Sequence, residues 1–387
     1  MSDVTQLGLV ESELERLGGL WTAREIAQQP AMLRETQKLL TARRAEIEAF
    51  LKPLLARADL RVILTGAGTS AFAGECLAPV LSSRIGRRVE AIPTTDLVCA
   101  PHLYFEADTP TLLVSFGRSG NSPESVAAIE LADRLVSDLS NLVITCNADG
   151  ALAKYGEGPH GLTVQLPEAT HDRSFAMTSS FSCMTYAALA VFSGIEAMDE
   201  RVEPIARATQ AVITKYTPVM QAAAAEGYQR VVYLGSHIFK GLARESGLKL
   251  LELTNGALVT TFDSPLGFRH GPKTIVNDRT LIVVFFSNDA YTRSYDIDLL
   301  EELRRDNDAA RVVAITAQDG VGLPEQDEVS VPGLAAADDV ELLFPYIAAP
   351  QILAFFESLR RGLSPDKPNT SGTVNRVVQG VRIHELG

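Results

Sequence analysis

The sequence predicts an α/β protein with two parallel β-sheets in tandem. Each sheet lies between helices in a three-layer αβα, flavodoxin-like sandwich that holds no nucleotide. Three observations lead there. From Arg61 onward, short apolar strands alternate with glycine-bearing turns and helices. The alternation returns in the second half at a nearly fixed spacing. The loop Gly117–Arg118–Ser119–Gly120–Asn121–Ser122 suits an anion, whereas its counterpart in the second half does not.

The elements follow in order. Residues 1–57 read as helical throughout. Thr22 is expected to cap a helix over Ala23–Gln29 that Pro30 ends or kinks, and Met32 to Phe50 gives a second amphipathic helix, with Pro53 near its end. Strands are expected at Arg61–Thr65, Val89–Pro93, Thr111–Phe116 and Asn141–Cys146, with a helix over Ser125–Ser137. Arg61, Thr111 and Gly66 recur as Arg230, Thr280 and Gly235, each 169 residues on, and Asp149-Gly150 recurs as Asp319-Gly320 at 170. The expected organisation is a helical N-terminal segment (1–57), a first α/β domain (58–205), a second (206–362) and an irregular Pro-, Ser- and Asn-rich tail (363–387) that closes the site.

Composition narrows the function. The chain has 387 residues, 46% hydrophobic, with a net charge of −13 and no basic cluster, which speaks against a nucleic-acid partner. An anionic substrate then needs a local positive site, because the global field repels it. The longest apolar runs are read as shorter than the roughly 20 residues a bilayer needs, so no membrane is expected. No export signal is visible, and Cys76, Cys99, Cys146 and Cys183 are dispersed, which fits a reducing cytoplasm.

Two stretches carry chemistry. In 117–125 the glycines let backbone N–H groups converge, Ser119 and Ser122 add hydroxyls, Arg118 adds charge, and a helix N-terminus follows. A bare serine-capped helix start would look the same. Gly66–Ser70 is a similar turn but lacks GxGxxG, and there is no Walker lysine, so nucleotides are not expected. The second stretch is Gly241–Lys273. Glu245, Lys249 and Glu252, at i, i+4 and i+7, share one helix face. The helix should stop at Asn255-Gly256. Phe268–Lys273 then sets Arg269, His270 and Lys273 in a Gly- and Pro-bearing turn. A solvated Glu–Lys pair and a structural histidine are the plain alternatives.

These motifs, with Ser174–Phe181 and Gly372–Val378, resemble the sugar isomerase (SIS) domain family, with two SIS units in tandem. The chain is similar to the isomerase half of glucosamine-6-phosphate synthase and more so to the galactosamine-6-phosphate deaminase/isomerase group of N-acetylgalactosamine catabolism, formerly described as tagatose-6-phosphate ketose/aldose isomerases. The resemblance implies that Ser70, Arg118, Ser119 and Ser122 hold a phosphate. It makes Glu252 the base between C1 and C2, and His270 the ring opener, supplied by the neighbouring subunit of a homodimer. Lys249 assists, and Gly68, Thr69, Ser179, Glu245, Arg269, Asn375 and Arg376 line the sugar. Two positions depart from the synthase: Gly117 replaces a phosphate-binding serine, and the synthase's C-terminal lysine falls near Asn375 or Arg376.

The first 57 residues offer no N-terminal cysteine nucleophile to supply ammonia, so the hydrolytic direction is expected. The reading is conversion of D-galactosamine 6-phosphate to D-tagatose 6-phosphate and ammonia, without metal or cofactor. His270 opens the ring, Glu252 carries the proton, and Lys249 with Arg269 steadies the open-chain oxygen. Plain aldose–ketose isomerisation of a non-aminated hexose phosphate is the alternative within the class. A non-catalytic sugar-phosphate sensor is the alternative outside it.

Overall fold

A computed structural model describes residues 4–378 and 380–387. The chain forms two compact units. One contains 31–172, 179–202 and the described part of 371–387; the other contains 4–30, 173–178 and 203–370.

The first of these units is built on β1 (Arg61–Thr65), β2 (Arg88–Ala91), β3 (Thr111–Gly117), β4 (Leu139–Thr145) and β5 (Gly161–Gln165). All pair in parallel in the order β2-β1-β3-β4-β5. Every residue of β1 and β3 is buried, as expected of central strands covered on both faces. On one face Ile63, Leu113 and Val143 pack with Leu97, Ala128 and Ile129, from the Thr94–Cys99 and Pro123–Leu135 helices. Helices Thr69–Ile85 and Ser179–Ser193 pack on each other in the same unit.

The other unit repeats the plan with β6 (Arg230–Gly235), β7 (Val259–Asp263), β8 (Thr280–Phe285), β9 (Arg311–Thr316) and β10 (Glu328–Ser330). Its order, β7-β6-β8-β9-β10, is the same order one copy later, again all parallel. The two sheets therefore share the flavodoxin-type strand order. The strand pairs matched by spacing, β1/β6 and β3/β8, hold equivalent places, and so do β4 and β9. Val232, Ile282 and Ala314 face Leu299, Leu300 and Leu303 of the Ala290–Asp306 helix. Tyr233, Phe239, Phe285 and Tyr346 form a cluster of stacked and tilted rings, with Phe239 and Tyr346 supplied by the helices Phe239–Leu253 and Asp339–Arg360.

Several expectations need correction. The start of the chain is not helical throughout. Thr5–Gln6 and Leu9–Val10 form a hairpin across Leu7 and Gly8, both at positive φ (47° and 78°). Burial of the Leu7 side chain offsets its strained backbone. Residues 1–3 of that stretch lie outside the described residues, as does residue 379 of the tail.

Thr22 is not a cap. It lies inside the helix Leu20–Ala27, and its N–H and hydroxyl both donate to Asp366, each at 2.7 Å. Pro30 sits in the first turn of the next helix, Gln29–Ala42, where its missing N–H costs little. The single helix expected over Met32–Phe50 is two, Gln29–Ala42 and Arg44–Leu55, and Pro53 lies within the second.

The reading of the apolar runs was also too short. Asp339–Arg360 spans 22 residues and is long and apolar enough to cross a bilayer, but nearly all of it is buried. Prolines 345 and 350 lie within it. After Arg360 no described residue is in a helix or strand, as expected of the tail. None of the four cysteines is in a disulfide.

Candidate active site

In the unit of the first sheet, two loops leave the carboxyl ends of adjacent central strands, where ligands of such sheets bind. The turn after β1 runs directly into the Thr69–Ile85 helix. A Cβ on Gly66 would lie 2.5 Å from Ser70 Cβ, so only glycine lets the chain fold back this tightly. Gly68 sits at φ 56° and ψ −127°, a conformation reserved for glycine. Thr69 and Ser70 are the buried first residues of the helix.

The loop after β3 is braced by the loop after β4. Asn147 Nδ2 donates to the Ser119 carbonyl at 2.8 Å, and Ala151 N–H donates to Asn121 Oδ1 at 2.9 Å. Gly120, at φ 65°, packs against Gly150, and a Cβ there would meet Gly150 Cα at 3.3 Å. Ser122 caps the Pro123–Leu135 helix, accepting the Ser125 N–H at 3.3 Å, with the two hydroxyls 2.6 Å apart. The serine-cap alternative therefore describes Ser122 correctly. The cap leaves Ser119, half-buried in the loop, and the helix N-terminus as the groups that could face an anion. Gly117 also has a local explanation. A Cβ there would lie 2.8 Å from Leu152 Cδ1 and 3.2 Å from Gly120 Cα, so a serine does not fit without displacement.

The tail reaches this loop. Arg118 Nη2 donates to the Arg376 carbonyl at 2.6 Å, and Arg376 Nε donates to the Asp172 carbonyl at 3.0 Å. The Asp172 carboxylate accepts the hydroxyls of Ser179 at 2.5 Å and Ser180 at 2.6 Å, and the Ser180 N–H at 2.9 Å. Ser179, expected to line the sugar, is thus wholly buried and tied to the start of its own helix. Asn375 is exposed and bonds the Gly372 carbonyl. His171 and Asp172, just before the Ser174 motif, escaped the sequence reading. A histidine–aspartate pair next to a serine-rich helix start was the available signal.

In the unit of the second sheet, the helix Phe239–Leu253 carries Glu245, Lys249 and Glu252 on one face, as the spacing predicts. Asn255 at φ 49° and Gly256 at φ 77° end it. Lys249 is wholly buried. Its Nζ lies 2.6 Å from Glu252 Oε2 and 3.4 Å from Glu245 Oε1. Glu245 is equally buried, whereas the Glu252 side chain keeps 24% of its surface. The Lys249–Glu252 approach is a close ion pair without hydrogen-bond alignment, and Glu252 Oε2 accepts no hydrogen bond. A carboxylate held by charge alone keeps a lone pair for a proton.

Arg269 and His270 are not drawn into that cluster. Arg269 Nε lies 2.8 Å from Glu302 Oε2, and Lys273 pairs with Glu302 and Asp306. His270 is exposed on its turn, and its side chain makes no hydrogen bond or ion pair among the described residues. Among the described residues, no group of three or more His, Cys, Asp or Glu side chains could hold a metal ion.

The SIS domain pattern matches residues 54–194, which contain the first sheet and the loops after β1 and β3. A Streptomyces coelicolor AgaS protein is 51% identical over 368 residues, 94% of this chain and 95% of that one. The chain belongs to the SIS domain family, alongside the AgaS proteins. The Escherichia coli D-galactosamine-6-phosphate deaminase AgaS is 47% identical over 368 residues, covering 95% of this chain and 96% of that protein. The crystal structure of an Escherichia coli tagatose-6-phosphate ketose/aldose isomerase superposes with a TM-score of 0.89 at 43% identity, over 98% of this chain and 99% of that one. This chain therefore shares its overall fold with that isomerase.

Proposed function

We propose that this SIS protein is a D-galactosamine-6-phosphate deaminase that releases D-tagatose 6-phosphate and ammonia. The full-length likeness to the Escherichia coli deaminase carries the reading, and the Lys249–Glu252 pair supplies its chemistry. Ser70, Arg118 and Ser119 hold the phosphate, and Ser122, expected to join them, caps the helix whose N-terminus faces it. Gly68 and Thr69 give the chain its close approach to the ligand, and Glu245, Ser179, Asn375 and Arg376 shape the sugar site. Binding energy at the phosphate positions the reacting end.

His270 moves the proton from the C1 hydroxyl to the ring oxygen, giving the open-chain aldehyde. Glu252 takes the C2 proton to give an enolamine, then returns a proton to C1 to give a 2-imine. Lys249 stabilises charge on the O1 side during that transfer, while Arg269 stays paired with Glu302 beside His270. Water adds to the imine carbon and expels ammonia, leaving the ketose. We propose that His270 is supplied across a homodimer, which accords with its exposed position and unpartnered side chain. The same reading places the enzyme in the cytoplasm, in amino-sugar breakdown.

Plain aldose–ketose isomerisation uses the same base and ring opener, and the name of the similar crystal structure points that way. The deciding experiment assays ammonia and ketose phosphate with D-galactosamine 6-phosphate, D-glucosamine 6-phosphate and their N-acetyl forms. Ammonia released in step with tagatose 6-phosphate supports deamination. Turnover of tagatose 6-phosphate with no ammonia from any amine overturns it.

A further inference from the structure

We propose that His171 completes the anion cradle of the first sheet by donating its Nε2–H to a phosphate monoester, and that it takes up one proton from solvent as the ester binds. The inference rests on the phosphate-binding reading of that cradle and adds a residue that the SIS likeness did not point to.

Geometry places His171 there. Leu166 N–H donates to the Thr145 carbonyl at 2.9 Å, which brings the segment after β5 across the carboxyl end of β4. The turn Glu168–Thr170 then delivers His171, whose N–H donates to the Glu168 carbonyl at 3.0 Å. The next residue, Asp172, is clamped by Arg376, and the Arg376 carbonyl in turn receives Arg118. Arg118, Arg376 and His171 therefore form one cluster at the end of the sheet from which the loop after β3 departs.

The imidazole is underused as it stands. Its Nε2 is shut off from solvent and has no partner among the described residues. Natural proteins rarely leave a buried ring nitrogen without an ordered water, an ion or a ligand to supply the missing group. Asp172 is the nearby carboxylate, and its oxygens already accept from Ser179 and Ser180.

The charges around the ring explain the proton. Burial first, and then the guanidinium groups of Arg376 and Arg118, hold its pKa below the ordinary histidine value, against a smaller opposing pull from Asp172. The ring is therefore neutral at neutral pH in the free protein. A phosphate dianion seated among the same groups reverses the sign of the local field and favours the imidazolium. The proton comes from solvent, and no bond of the ester changes. A neutral sugar brings no such reversal, so the device favours a doubly charged ester over its unphosphorylated form.

The test uses the full chain and a hexitol 6-phosphate, which has no carbonyl and cannot react. Binding is followed by calorimetry at pH 8, where the ester is already a dianion, in two buffers of different ionisation enthalpy. The wild type should take up most of one proton per site. His171→Gln should take up none and bind about 10-fold more weakly, the usual scale for losing one charge-assisted hydrogen bond. His171→Lys should recover most of the affinity without the uptake. A histidine Cε1 NMR signal that moves toward imidazolium on titration gives the same answer in the unaltered protein. Unchanged uptake and affinity in His171→Gln would overturn the proposal. Failure of the wild type to bind the probe would overturn it together with the phosphate cradle. Uptake by His171 in a chain that releases no ammonia would keep this site and discard the deaminase reading.

Discussion

The Asp339 carboxylate accepts the Ser287 hydroxyl at 2.5 Å, in the loop of the second sheet that corresponds to the anion loop of the first. The Asn288 N–H donates to the same carboxylate at 2.7 Å. Asp296 accepts the Ser287 N–H at 3.0 Å and the Ser236 hydroxyl at 2.5 Å. The second copy therefore retains its convergent donors but satisfies them with its own carboxylates. The backbone keeps a trace of the duplication: His237, 169 residues beyond Gly68, holds nearly the same positive φ, 54° against 56°.

That substitution has a pH signature. Burial raises the Asp296 pKa to about 6, against the opposing pull of its hydrogen bonds to Ser236 and Ser287. Asp339 is also raised, mainly by burial. The unfolded Asp296 ionises near 3.8, so between pH 4 and 6 the folded state binds more protons, and this group's contribution falls as pH rises. Asp296→Asn removes that loss. Its stability relative to wild type should climb by about 2 kcal/mol from pH 4 to pH 7. Urea midpoints across that range check it, and a pH-independent difference would contradict it.

Gly117→Ser tests why a glycine stands where the synthase is expected to carry a phosphate-binding serine. The added Cβ meets Leu152 and the Gly120 backbone. The variant should lose about 1–3 kcal/mol, as overpacked sites do, and gain nothing in KM. Equal stability with a lower KM would show that the site does accept a serine.

Asp366→Ala should cost about 1–2 kcal/mol by uncapping the Leu20–Ala27 helix, whose Trp21 and Thr22 N–H groups it receives. Thermal unfolding measures the loss. Asp366→Asn, which keeps one acceptor, should recover part of it.

Mixing two inactive proteins tests the shared site. His270→Asn and Glu252→Gln proteins, once mixed and exchanged, should regain up to about a quarter of wild-type turnover if the protein is a dimer with one residue of each kind supplied to each site. No recovery after verified exchange would place both residues in one subunit's site.

Much of this was legible in advance where it depended on local order. Arg61–Thr65 emerged as a strand with its predicted limits, and the Asn255-Gly256 stop holds. The common face of Glu245, Lys249 and Glu252 followed from the helix period alone. What stayed hidden depends on contacts made by folding. The cap on Thr22 comes from Asp366, 344 residues away. The short edge strands Gly161–Gln165 and Glu328–Ser330 carry too few apolar residues to stand out. The pairing of Arg269 with Glu302 and the position of His171 beside Arg376 needed the three-dimensional arrangement. So did the carboxylates that fill the second cradle, since Asp296 and Asp339 look like ordinary helix residues in the sequence.

The account depends most on Glu252 as the proton carrier. The direct measurement is ammonia release from D-galactosamine 6-phosphate by Glu252→Gln beside the wild type, with binding of an unreactive hexitol 6-phosphate measured on both. The account predicts at least a 10³-fold loss of turnover, in the range expected for removing a general base, with affinity for the hexitol ester nearly unchanged. Turnover within a few-fold of wild type would contradict it.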